Sequence, residues 1–117
     1  MKYLLTLTYR DGEGPEMGSP EFDAEMNVWN ALNDELKAAG TGVVASGLQP
    51  QAVTTVRSKN GDVTVTDGPY AETKEILFSF YIIDVPDLDA ATEWAAKMPS
   101  AEYGSNEIRP MVGYEFV

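Results

Sequence analysis

The chain has 117 residues, 44% of them hydrophobic, which is the length and apolar content of one domain with its own core. Its net charge of −11 argues against nucleic acid, where affinity rests on Lys and Arg at phosphates, and against an anionic membrane surface. With neither Cys nor His present, disulfides, thiolate nucleophiles, zinc–thiolate sites and Ser-His-Asp or Cys-His machinery are excluded within the chain.

The N-terminal "KYLLTLTY" alternates apolar and polar residues and predicts a strand over residues 2 to 9. It lacks the apolar block and small-residue cleavage site of a signal peptide, and no apolar run reaches the roughly 18 residues of a membrane span, so a cytoplasmic protein is expected. After the loop "RDGEGPEMGSP", Ser19 reads as an N-cap with Pro20 at the first helical position. Phe22, Met26, Trp29, Leu32 and Leu36 then recur at helical spacing until Gly40, which predicts a helix over 20 to 39.

"GVVASGLQ" predicts a second strand. "AVTTVRS" and "DVTVTDG" flank Asn60-Gly61, a two-residue hairpin signal. "EILFSFYIIDV" predicts the central strand. Pro86 and Asp87 start a second helix with a stripe of Leu88, Ala91, Ala95 and Met98, an i,i+4 pair of Glu93 with Lys97, and a stop at Pro99. "NEIRPMV" is the last strand. The order β-α-β, hairpin, β-α-β predicts an α+β ferredoxin-like plait over residues 1–117, an antiparallel sheet with both helices on one face. The central strand, however, carries Leu77, Phe78, Phe80, Tyr81, Ile82 and Ile83, bulk for both faces. A bare apolar sheet face is uncommon in a soluble monomer, so a homodimer packed sheet against sheet is expected.

"TDGPYAETKE", the strand leading into "IDVPDLDAATEWA", and the closing "PSAEYGSNEIRPM" together resemble the YCII-related, DGPF-motif family, in order and over almost the whole chain. Tyr70 stands where the motif has Phe. The resemblance implies a dimeric α+β barrel built on a ferredoxin-like plait. It implies little about reaction: some branches are thought to use a His/Asp pair, and some copies accompany extracytoplasmic-function sigma factors. Only the Asp side of that pair, at Asp67, has a counterpart here.

The stretch from Asp67 to Glu75 is the first candidate site. Gly68 and Pro69 form a tight turn whose N–H groups can face an anion, while Asp67, Tyr70, Glu72, Lys74 and Glu75 supply a base, a donor, carboxylates and a cation. The alternative is an Asx-turn at Asp67 with solvated charges. Arg109, on a strand face with Ser105 and Glu107, can clamp a carboxylate or pair with Glu107 or Glu75. Tyr81 reads as core, Tyr9 as core or cleft, and Trp29 and Trp94 as packing. The acidic loop lacks EF-hand spacing, and there is no Walker A, GxGxxG or helix-borne metal motif, so neither a metal nor a cofactor is expected.

These readings point to a small-molecule-binding protein or cofactor-free enzyme. Its chemistry would be of isomerase or lyase type, proton transfer on a small anionic or aromatic ligand. The competing functions are an accessory or sensor protein acting with an alternative sigma factor, and a structural dimer without a ligand.

Overall fold

A computed structural model describes residues 1–68 and 75–113. The elements in chain order are β1 (Lys2–Arg10), α1 (Pro20–Ala38), β2 (Gly42–Gly47), β3 (Thr54–Lys59), β4 (Asp62–Asp67), β5 (Glu75–Asp84), α2 (Leu88–Lys97), α3 (Ser100–Tyr103) and β6 (Gly104–Pro110). Strands β2-β5-β1-β6 form one antiparallel sheet, and β3-β4 form a second sheet of their own. The molecule is α+β. The four-stranded order, with β5 and β1 central, is compatible with a ferredoxin-like plait into which the β3–β4 hairpin is inserted.

The local signals act where the sequence places them. Ser19 Oγ accepts the Phe22 N–H at 3.1 Å, and Asp87 Oδ1 accepts the Ala90 N–H at 2.9 Å, satisfying two helix-terminal donors. Asn60 (φ 51°) and Gly61 (φ 84°) both take left-handed backbone, which is the type I′ turn that matches strand twist. At the start of β6, a Cβ on Gly104 would lie 1.8 Å from the Thr8 carbonyl oxygen, so only glycine lets β6 close against β1 there.

Odd residues of β1 face the helices. Tyr3, Leu5 and Leu7 join Tyr81 and Ile83 of β5, Leu32 and Leu36 of α1, and Ala91, Ala95 and Met98 in one buried core. Fully burying side chains such as Leu5, Leu7 and Ile83 stabilises by about 1.5–3 kcal/mol each. Ser100 is fully buried and donates to Asn106 Oδ1 at 2.6 Å, while Asn106 Nδ2 donates to the Ala95 carbonyl at 2.9 Å; this ties α3, β6 and α2 together.

Several details depart from the sequence reading. Pro99 does not simply end α2: it caps the short helix α3, which has no periodic signal of its own. Lys97 pairs with Glu35 of α1 at 3.4 Å and lies 4.7 Å from the Trp94 ring centroid, in place of the expected partner Glu93. Leu88 is exposed, off the buried stripe. Strict alternation along β5 would put Phe78 and Phe80 on one face, but the β1–β5 register shifts between Leu7 and Thr8. Leu7 pairs with Ser79 and Thr8 with Leu77, leaving Phe78 as the extra residue of a bulge. Phe78 therefore turns to the helix side, and Phe80, opposite Thr6, stays on the other face. Among the described residues no helix is long and apolar enough to cross a membrane.

Candidate functional site

The buried residues of α1 are Trp29, Leu32 and Leu36, all in its second half. Its first half stands away from the sheet, so Phe22 and Met26 do not reach the core. The gap beneath is a cavity of about 490 Å³. Its floor is Tyr9 of β1 with Phe78, Ser79 and Tyr81 of β5. One wall is α1, through Phe22, Glu25, Met26, Trp29 and Asn33. The β1–α1 loop, the Gly47–Pro50 segment and Tyr103 of α3 complete it. This is the size and lining of a small-molecule site, apolar and aromatic with a few polar groups.

The rings pack in a continuous chain. Tyr9 and Phe78 have centroids 5.7 Å apart; Phe78 meets Trp29 edge-on at 6.4 Å; Trp29 stacks on Tyr81 at 6.3 Å with planes 16° apart. Offset stacked and edge-to-face pairs at such distances contribute about 0.5–1.5 kcal/mol each beyond their area burial. The bulge is what admits Phe78 to this chain.

Two polar groups sit among the rings. Glu25 Oε2 accepts from Trp29 Nε1 at 3.2 Å and from the Tyr103 hydroxyl at 2.7 Å. Asn33 Oδ1 accepts from the Tyr81 hydroxyl at 2.7 Å. Burial, and then the hydrogen bond and charge of Glu25, push the Tyr103 hydroxyl well above the ordinary tyrosine range. Burial raises Tyr81 as well, against the opposing hydrogen bond to Asn33. Both hydroxyls thus remain protonated donors at neutral pH.

The site residues expected from sequence lie elsewhere or outside the described residues. Pro69, Tyr70, Glu72 and Lys74 fall outside them. Asp67 is exposed at the end of β4, opposite Thr54. Gly68 has φ +94°, donates its N–H to the Val53 carbonyl at 2.6 Å and accepts from Thr55 Oγ1 at 2.6 Å, a backbone that favours glycine. Glu75 Oε2 accepts from Ser105 Oγ at 2.9 Å. Arg109 forms an ion pair with Glu107 and donates to Thr6 Oγ1 at 3.0 Å on the sheet face away from the helices. Glu75 and Arg109 are not brought together. β1 runs between their strands, with Glu75 opposite Arg10 and Arg109 opposite Leu4, about 20 Å apart along the strand.

None of Asp67, Gly68, Glu75 and Arg109 lines the aromatic cavity. Sequence reading missed Glu25, Asn33 and Tyr103 and took Trp29 as packing alone. The available signal was Glu25 one helical turn before Trp29, an i,i+4 pair able to join carboxylate to indole. Among the described residues, no three or more acidic side chains gather into a metal-binding group.

Fold and cavity together define an α+β protein whose helix–sheet gap is lined, among the described residues, by aromatic rings and one carboxylate, that of Glu25. Residues 1–115 match the model of the YCII-related domain, and the chain belongs to that family. It is 37% identical over 113 residues to an uncharacterised protein of Rhizobium meliloti (strain 1021), a match covering 93% of this chain and 91% of that protein.

Proposed function

We propose that this protein binds a small organic molecule in the aromatic cavity and works as a homodimer. The observation that carries the reading is the cavity itself: about 490 Å³, floored and walled by Tyr9, Phe78, Trp29, Tyr81 and Tyr103. The rings pack on one another and still leave open space beside them, as the wall of a ligand site does. The bulge at Phe78 supports the same reading, because bulges next to functional sites re-aim a side chain.

The groups present suit recognition and proton transfer. Glu25 is the carboxylate within the cavity, and Asp67, the base suggested by the family motif, lies outside its lining. The Tyr81 and Tyr103 hydroxyls already donate to protein acceptors and are positioned as fixed walls. Catalysis in the cavity would have Glu25 moving a proton within a bound ligand, of isomerase or lyase type.

The test is a binding screen by native mass spectrometry against small aromatic and alicyclic acids, amines and lactones, run on the protein and two variants. Met26→Trp fills the cavity from a partly exposed position, and Asp67→Asn keeps the turn but removes its charge. Ligands of the wild type are expected to be lost in Met26→Trp and kept in Asp67→Asn. The opposite pattern moves the site to the "DGPY" stretch.

A further inference from the structure

Glu25 is the charged side chain of the cavity lining; among the described residues that lining holds no Lys or Arg. Its carboxylate is half-buried, and among the described residues it forms no ion pair. Its two hydrogen-bond donors, the Trp29 indole and the Tyr103 hydroxyl, are neutral, and both converge on Oε2. They fix the direction of the carboxylate without cancelling its charge. Tyr9, Phe78, Trp29 and Tyr81 line the same cavity, and the faces of aromatic rings are negative. Carboxylate and ring faces act in the same sense: each stabilises a positive charge placed between them and opposes a negative one. The surrounding molecule, with a net charge of −11, adds a field of the same sign.

We propose, building on the reading of the cavity as a ligand site, that its ligand is an organic cation, an aromatic or alkyl ammonium compound whose nitrogen lies against the rings and is paired with Glu25. A ring or alkyl body then fills the apolar space between Met17, Phe22 and Met26. The cavity of about 490 Å³ admits a ligand of about ten to twenty heavy atoms.

The test uses three probes of nearly equal shape: phenethylammonium, 2-phenylethanol and 3-phenylpropanoate, titrated calorimetrically into the wild type at low and at 0.5 M salt. The ammonium is expected to bind about tenfold tighter than the alcohol, and the carboxylate most weakly. Glu25→Gln keeps an acceptor for Trp29 and Tyr103; in it the ammonium and alcohol affinities should converge while alcohol binding persists. Glu93→Gln removes an equal charge from an exposed position of α2 and should leave the preference intact. Equal binding of ammonium and alcohol by the wild type overturns the cation assignment and leaves the cavity reading standing. The same is true of tightest binding by the carboxylate, or of a preference that survives Glu25→Gln. Failure of all three probes to bind at millimolar concentration removes the cavity reading with it. If Glu25→Gln does not fold, the order of the probes on the wild type alone decides.

Discussion

Tyr103 shows how one residue can serve cavity and stability together. Its hydroxyl donates to Glu25 and its ring lies under Gly14, where an added Cβ would come within 3.1 Å of it. Burial and Glu25 both hold its proton on. In the unfolded chain a tyrosine gives that proton up near pH 10. Above that pH the unfolded state therefore binds fewer protons than the folded state, and stability falls as pH rises toward the folded value; below pH 10 the shift contributes no slope. Tyr81 acts in the same direction. Tyr103→Phe is expected to cost about 1 kcal/mol at pH 8, the worth of one hydrogen bond, and to have a shallower alkaline decline, so that the gap to wild type narrows above pH 10. Urea titrations at pH 8, 10 and 11 measure both. A constant gap across that range would mean that the Tyr103 proton is not held by its surroundings.

Among the elements, what was legible in the sequence is what neighbours in the chain decide. The Ser19 and Asp87 caps, the Asn60-Gly61 turn and the alternation of β1 depend on a few adjacent residues, and the structure has them where the sequence puts them. What was not legible depends on register between distant segments. The direction of Phe78 is set by how β5 slides against β1, which the alternation of β5 alone does not carry. The cavity escaped for the same reason: Tyr9, Glu25, Trp29, Phe78 and Tyr103 meet only after four elements have packed. The "TDGPYAETKE" stretch drew attention through its density of polar types, whereas the cavity is made mostly of residues that read as core. Since Phe78 is the surplus residue of the bulge, deleting it should leave Leu7 paired with Ser79 and Thr8 with Leu77, and every other side chain on its present face. One-residue deletions in a central strand ordinarily invert a whole face. Here the deletion variant is expected to fold, with a circular dichroism spectrum close to wild type, and to lose cavity ligands by more than tenfold. An unfolded product would show that Phe78 is needed for packing.

At the scale of the whole molecule, the surface away from the helices is rich in apolar side chains. Leu77 and Val44 are exposed there, with Leu4, Phe80 and Ile82 half-buried beside them. On the β3–β4 hairpin Val56 lies opposite Val65, and these two and Val63, on the same hairpin face, are each more than 60% exposed. The radius of gyration is 16.2 Å, against about 13 Å for a compact chain of this length. A sheet face and an arm that no described residues cover are what the proposed homodimer explains. Phe80→Asp, on the open face, is expected to halve the mass seen by light scattering at micromolar concentration while the fold persists. Tyr81→Asp, in the core, should unfold the chain. A wild type that runs as a monomer removes the dimer from the proposal.

The hairpin carries one more consequence. Two strands alone are only marginally stable in water, and β3 and β4 pair with each other and with no other described strand. Their amide protons should therefore trade with solvent deuterium far faster than those of β1 and β5 whenever the arm is bare, and slow sharply once something lies over the valines. If the proposed homodimer covers the arm, that exchange reads its assembly peptide by peptide, without any label.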